Sequence, residues 1–208
     1  MAIKAIVFDI GGVLEITPNL GIDAQWEKKL NLKENELYER LREVWKDGTL
    51  GTISIGQVHE NIGKIMNWDE PQVNEYMGDI WKEYLGTLNV ELAEYFRNLR
   101  PKYQTAIISN SFIGAREKEA EHYQFDTICD FILYSHEVGL RKPDPKIFEL
   151  ACQKLGLLPN EIIFVDDHAD VYVSAVKMGM HCFEFKDNAQ IIAEIEACIQ
   201  ANLKPLDK

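Results

Sequence analysis

The sequence predicts an α/β fold, with a parallel sheet covered on both faces by helices and a helical module inserted after the first strand. Three observations carry this. The opening run, Ile3-Lys4-Ala5-Ile6-Val7-Phe8-Asp9, is almost continuously apolar, as a strand buried on both faces requires. From Val90 onward, short apolar runs alternate with helical patterns, and that alternation implies right-handed crossovers between parallel strands. Between the two lies a stretch with mainly helical spacing. Residues 1–15 and 86–208 are therefore expected to form the α/β core, and residues 16–85 the insert.

The elements follow in order. Within the insert, Leu37, Leu41, Val44 and Trp45 share one helical face, and further helical segments run from Val58 to Met66 and from Val73 to Tyr84, with Pro71 placed for a helix start. A helix bearing Leu92, Tyr95, Phe96 and Leu99 precedes a strand at Thr105-Ala106-Ile107-Ile108. A charged helix from Arg116 to His122 leads to a strand at Phe131-Ile132-Leu133. A helix from Lys146 to Leu155, a strand at Ile162-Ile163-Phe164-Val165 and a helix from Val171 to Met178 come next. A strand from His181 to Phe185 and a terminal helix carrying Ile191, Ile192, Ile195 and Ile199 complete the chain.

With 208 residues, 46% of them hydrophobic, the chain can bury a substantial core. No apolar run approaches membrane-spanning length, and the first residues enter a strand without a leader pattern, so a soluble cytoplasmic protein is expected. Cys129, Cys152, Cys182 and Cys198 stand far apart in apolar surroundings and read as free thiols, not as disulfides or a zinc site. A formal net charge of −12 argues against nucleic acid or an anionic membrane as partner. Any anionic substrate then needs a local positive centre, either a metal or a well-placed lysine.

The polar residues at strand ends supply that centre. Asp9 ends the first strand, followed by Ile10-Gly11-Gly12-Val13; Ser109-Asn110-Ser111 follows Ile107-Ile108; Arg141-Lys142-Pro143-Asp144-Pro145 lies in the loop after the third strand; Asp166-Asp167 follows Phe164-Val165. Parallel strands bring these ends to one edge of the sheet, where open α/β sheets bind ligands. A carboxylate, a hydroxyl and amide, a lysine and a carboxylate pair would there surround one phosphate and one divalent cation. All-oxygen donors suit Mg²⁺ and disfavour zinc. Each piece also has an ordinary structural use: Asp9 as a turn cap, Ser109 and Asn110 as helix caps, Lys142 as a solvated turn residue, and Asp166-Asp167 as a helix start. Their joint occurrence in this order is far rarer than any one of them.

The set resembles the haloacid dehalogenase (HAD) superfamily, and within it the phosphatase branch with a small helical cap after the first strand. The resemblance rests on Asp9-Ile10-Gly11-Gly12-Val13, Ile108-Ser109-Asn110, Lys142 and Asp166-Asp167, with the stretch from His136 to Pro145 also typical. It spans nearly the whole chain and is weakest in the cap. It implies a Rossmann-like three-layer core and a Mg²⁺-dependent phosphatase acting on a small phosphorylated metabolite such as a sugar phosphate. In that family pattern Asp9 attacks phosphorus, forming an aspartyl-phosphate. Asp9, the Gly11 carbonyl and Asp167 hold Mg²⁺, with Asp166 a ligand directly or through water. Ser109 and the Asn110 amide hold phosphate oxygens, and Lys142 neutralises Asp9 and the transferring group.

One departure stands out. The family places a second aspartate, the general acid and base, two residues after the nucleophile, and here that position is Gly11. Loss of such a group typically costs ~10²–10⁴-fold. Glu15 and His168 are the nearest candidates in sequence to replace it. A 2-haloacid dehalogenase, which lacks the second aspartate and needs no metal, is an alternative that leaves Asp166-Asp167 without a use. A non-catalytic binding or regulatory protein is another, against which the retained Asp9, Lys142 and carboxylate pair count. In the cap, Trp26, Arg42, Trp45, Lys46 and Thr49 are candidate substrate contacts, and Gly48 and Gly51 read as flexible turns.

Overall fold

The computed structural model describes residues 2–203. The sheet core opens with β1 (Ala5–Phe8), and the chain passes through β2 (Glu15–Ile16) into four helices, α1 (Ile22–Leu30), α2 (Glu36–Leu50), α3 (Ile55–Met66) and α4 (Glu70–Leu85). It returns through β3 (Thr87–Leu88) and continues as α5 (Val90–Leu99), β4 (Gln104–Ser109), α6 (Ala115–His122), β5 (Phe131–Tyr134) and the short α7 (Ser135–Val138). Then come α8 (Pro145–Leu155), β6 (Ile162–Asp166), α9 (Ala169–Lys177), β7 (His181–Glu184) and α10 (Asn188–Asn202).

Five strands form one sheet in the order β5-β4-β1-β6-β7, with every neighbouring pair parallel. The apolar run of β1 shows why it lies at the centre. Ile6 and Phe8 face one apolar cluster with Leu92, Phe96, Ile191 and Ile195, while Ala5 and Val7 face another with Ile147, Phe148, Val171 and Ala175. Both faces are thus buried, giving the three-layer α/β arrangement that the alternating pattern predicts. On the first face Phe8 stacks on Phe96 with ring centroids 4.6 Å apart.

Helices α1–α4 pack around a separate apolar cluster of Ile22, Trp26, Leu37, Leu41, Val58, Ile62 and Tyr76. Two of them begin on reciprocal caps. Ser54 accepts from the Gln57 amide and Asp69 from the Gln72 amide, while each glutamine side chain accepts from the backbone of its cap residue. Pro71 sits in the first turn of α4.

Sequence periodicity does not reveal the two-residue antiparallel pair β2–β3, which carries the chain out to α1 and back from α4. Two residues are too few to show a period. It also misses α7, a single turn, and the separate helix α1. The four cysteines are free, as expected, with Cys129 and Cys182 buried. No helix among the described residues is long and apolar enough to cross a membrane.

Candidate active site

The carboxyl ends of β1, β4 and β6 open into a cavity of about 380 Å³ whose lining includes Asp9, Gly11, Ser109, Asn110, Lys142 and Asp167. Asp9 follows β1 directly, and its amide donates to the Val165 carbonyl at 3.0 Å. This extends the ladder one residue and fixes the backbone of Asp9. Its Oδ1 accepts from the Ile10 amide at 2.7 Å. Lys142 reaches in from the loop before α8 and is 2% exposed, with its Nζ 2.7 Å from Asp9 Oδ1 and 2.6 Å from Asp166 Oδ2. An ammonium so deeply buried persists only because two carboxylates flank it. Burial opposes its charge, yet Asp9 and Asp166 outweigh burial and hold its pKa above the ordinary lysine value.

Asn110 places that lysine. Its side-chain amide donates to the Lys142 carbonyl at 2.8 Å, and its Oδ1 accepts from the Lys142 amide at 2.7 Å. A residue at the end of β4 thereby clamps the backbone of a loop 32 positions away. The sequence offers Asn110 as a helix cap or as a backbone donor to phosphate, and the clamp is a further use that linear order does not show. Ser109 ends β4, is buried and lines the same cavity.

Asp166 ends β6, and its Oδ1 accepts from the His168 amide at 2.9 Å while Oδ2 accepts from Lys142. Asp167 Oδ1 is buried without a hydrogen-bond partner. Gly12 explains how Asp167 fits, because its φ is +73° and a Cβ there would stand 2.2 Å from Asp167 Oδ2. Only glycine meets both demands. Oxygens of Asp9, Asp166 and Asp167 lie within 4.8 Å of one another. Three carboxylates and one ammonium leave an excess of two negative charges, and the orphaned Asp167 oxygen lacks a donor. The donor set is all oxygen, so the residues fit one hard divalent cation. Burial pushes Asp9 up to about 7, with Lys142 pulling against the shift and Asp166 adding to it. Burial likewise raises Asp167.

Beyond the strand ends the cavity is lined by Glu15, Thr17, Tyr84, Glu119 and Tyr123. Glu119 on α6 is 1% exposed and accepts from Tyr84 of α4 at 3.1 Å and from Tyr134 of β5 at 2.7 Å. Burial pushes its carboxyl up to about 7. Burial also pushes Glu15 up to about 7. The sequence Ala-Arg-Glu-Lys-Glu-Ala-Glu-His reads as a solvated helix, so periodicity conceals Glu119.

The candidate cap contacts separate into two groups. Trp45 and Thr49 line a second, apolar cavity of about 230 Å³ with Ile80, Trp81, Tyr84, Asn110, Ser111 and Phe112. Trp26 is buried against Trp68 and Tyr76 inside the helical cluster, while Arg42 and Lys46 are exposed and paired with glutamates of their own helix. Gly48 lies inside α2 and not in a turn, while Gly51 is the left-handed residue that caps the end of α2. A Cβ at Gly48 would stand 2.1 Å from the Phe112 ring, and one at Gly51 would stand 1.7 Å from the His136 carbonyl oxygen. They are places of close approach, where α2 meets the loop after β4 and the short helix α7. Ser135 ties that seam, its one hydroxyl proton shared between the Thr49 and Ser111 carbonyls.

The parallel sheet thus carries a buried carboxylate–lysine–carboxylate chain at its carboxyl edge. The model of the haloacid dehalogenase-like hydrolase family matches residues 3–179, and the chain belongs to that family. Among curated proteins it is 26% identical to acyl-CoA dehydrogenase family member 10 of Mus musculus, over 94% of this chain but 19% of that protein. It therefore spans about a fifth of that relative's length. It is 24% identical to D-ribitol-5-phosphate phosphatase of Bacteroides thetaiotaomicron, over 96% of this chain and 100% of that one. Among solved structures, a HAD family enzyme of Bacteroides thetaiotaomicron in complex with magnesium and inorganic phosphate superposes with a TM-score of 0.77 at 21% identity, covering 91% of this chain and 98% of the other.

Proposed function

We propose that the protein is a Mg²⁺-dependent phosphatase that hydrolyses a small phosphorylated metabolite through an aspartyl-phosphate on Asp9. The observation that carries this reading is the buried chain Asp9–Lys142–Asp166 with the orphaned Asp167 oxygen beside it. Asp9, the Gly11 carbonyl, Asp166 and Asp167 would hold Mg²⁺. Bound there, Mg²⁺ supplies positive charge toward the phosphoryl oxygens. Asp9 attacks phosphorus with a carboxylate oxygen, and Lys142 neutralises charge on Asp9 and on the group in transfer. Ser109 donates its hydroxyl, and Asn110 its backbone amide, to phosphoryl oxygens.

Residues 16–85 act as a cap over this edge, and the leaving group lies between the two regions. The Tyr123 hydroxyl, buried without a hydrogen-bond partner, and the Glu15 carboxyl, both lining the cavity, suit a leaving group rich in hydroxyls. A sugar or polyol phosphate fits that lining, as the name of the D-ribitol-5-phosphate phosphatase relative also suggests.

The test is phosphate release from an aryl phosphate and from a panel of phosphorylated metabolites, with Mg²⁺ and with excess chelator. Turnover should require the metal. Undiminished turnover in chelator would exclude this mechanism, and chloride release from a 2-haloacid would favour a dehalogenase.

A further inference from the structure

The structure shows what faces the place where the family carries its second aspartate. Gly11 has an ordinary backbone conformation, and a Cβ built on it would meet Thr17 Oγ1 at 3.7 Å and Glu15 Oε2 at 4.0 Å. A side chain at position 11 would thus project toward the Glu15–Thr17 pair. That pair is joined, with Thr17 Oγ1 donating to Glu15 Oε2 at 2.7 Å. Glu15 lines the same cavity as Asp9 and is 2% exposed. Its Oε1 is buried beside the Thr87 backbone. Gly86 makes room for it, since a Cβ there would stand 1.6 Å from Oε1.

The other acidic or basic side chains of the cavity are committed or remote. Both oxygens of Glu119 accept tyrosine hydroxyls. Asp9 is paired with Lys142, and Asp167 belongs to the carboxylate cluster assigned to the metal. The His168 side chain is 72% exposed. Glu15, buried, anchored by the antiparallel pair β2–β3 and with its Oε2 facing the place where a side chain at position 11 would stand, is the group that remains.

We propose that Glu15 is the catalytic acid and base of this enzyme, steadied by Thr17 and standing in for the side chain missing at Gly11. This rests on the phosphatase reading. In the first step the bond from Asp9 to phosphorus forms and the bond from phosphorus to the leaving oxygen breaks. The departing oxygen keeps the electron pair and takes the proton of the Glu15 carboxyl. In the second step Glu15 carboxylate takes a proton from water as the water oxygen bonds to phosphorus. The Asp9–phosphorus bond breaks, and both carboxyl groups return to their starting states.

The experiment is a leaving-group series of aryl phosphates of graded phenol acidity plus one primary alkyl phosphate, with alcohol release followed in single turnovers with Mg²⁺. Glu15→Gln should slow the alkyl phosphate ~10²–10⁴-fold and barely affect the most acidic phenol. Thr17→Val should give a smaller loss with the same selectivity. Gly11→Asp added to Glu15→Gln should recover the alkyl phosphate, because the backbone at position 11 accepts a side chain. Equal losses across the series, or none, would overturn the assignment while leaving the phosphatase reading intact. Should Glu15→Gln fail to fold by circular dichroism, Thr17→Val decides: a loss confined to poor leaving groups supports the proposal, and uniform rates overturn it. Wild-type protein that releases no phosphate from any ester would remove both.

Discussion

The carboxyl edge of the sheet and the four-helix module α1–α4, proposed above as a cap, bury different chemistry. At the sheet edge, Lys142 is 2% exposed between Asp9 and Asp166, and removing the lysine strands two carboxylates in a low dielectric. In the cap, Lys29–Glu75, Arg40–Glu36 and Lys64–Glu60 are exposed pairs on helix surfaces. Its interior is instead apolar, aliphatic side chains packed around Trp26, Trp68 and Tyr76 at centroid separations of 5.1 to 5.4 Å. The edge demands particular residues because its charges must balance. The cap demands only a pattern of burial, which many residues satisfy.

The sharpest test of that contrast is Asp9→Asn, nearly isosteric and unable to accept a phosphoryl group. It should lower kcat on the order of 10⁴-fold while the thermal midpoint stays at or above that of the wild type, since a buried carboxyl with a raised pKa becomes a neutral amide. Retention of most of the activity would end the case for Asp9 as nucleophile. Lys142→Ala should abolish turnover and also destabilise the fold by about 3–5 kcal/mol, because Asp9 and Asp166 are left facing each other. Urea unfolding measures the second effect, and a shift below 1 kcal/mol would place Lys142 among the surface pairs.

The seam between the regions should give intermediate effects. Glu119 has its carboxyl raised by burial from 4.5 to about 7. Folding therefore favours its protonated form, so its contribution is complete below the unfolded value and is lost as pH rises through about 7. Wild-type stability should fall relative to Glu119→Gln between those limits, by up to about 3 kcal/mol. Parallel stability curves for the two proteins would remove Glu119 from the seam's energetics. Gly51→Ala meets both a φ of +66° and the His136 carbonyl, and should cost about 2 kcal/mol or more, with looser cap closure read as a raised KM. Least of all, Lys29→Ala on the cap surface should change stability by less than about 1 kcal/mol, and a larger loss would break the comparison.

Periodicity was enough for the sheet helices and strands to within one to three residues at each end, as with the predicted helix Lys146–Leu155 against α8, Pro145–Leu155. It failed on β2–β3, whose two-residue strands carry no period, and those strands turn out to seat Glu15. The glycines divided in the same way. Gly12 is bound to a left-handed turn against Asp167, but Gly48 and Gly51 serve contacts with residues far along the chain, which no local signal distinguishes from flexibility.

By itself the sequence determined a parallel α/β core with Asp9, Ser109, Asn110, Lys142 and Asp166-Asp167 at one edge. Apolar runs bury locally, and parallel strands leave no other place for the residues that follow them. Only the tertiary structure decided which groups touch. It put Asn110 on the backbone of Lys142, Tyr84 of the cap on Glu119 of the core, and Glu15, not His168, in the space before Gly11. Tyr84 and Glu119 lie 35 positions apart. Contacts over such separations follow from how helices and loops pack, and packing is set by the shape of the whole interior, which no window of sequence contains.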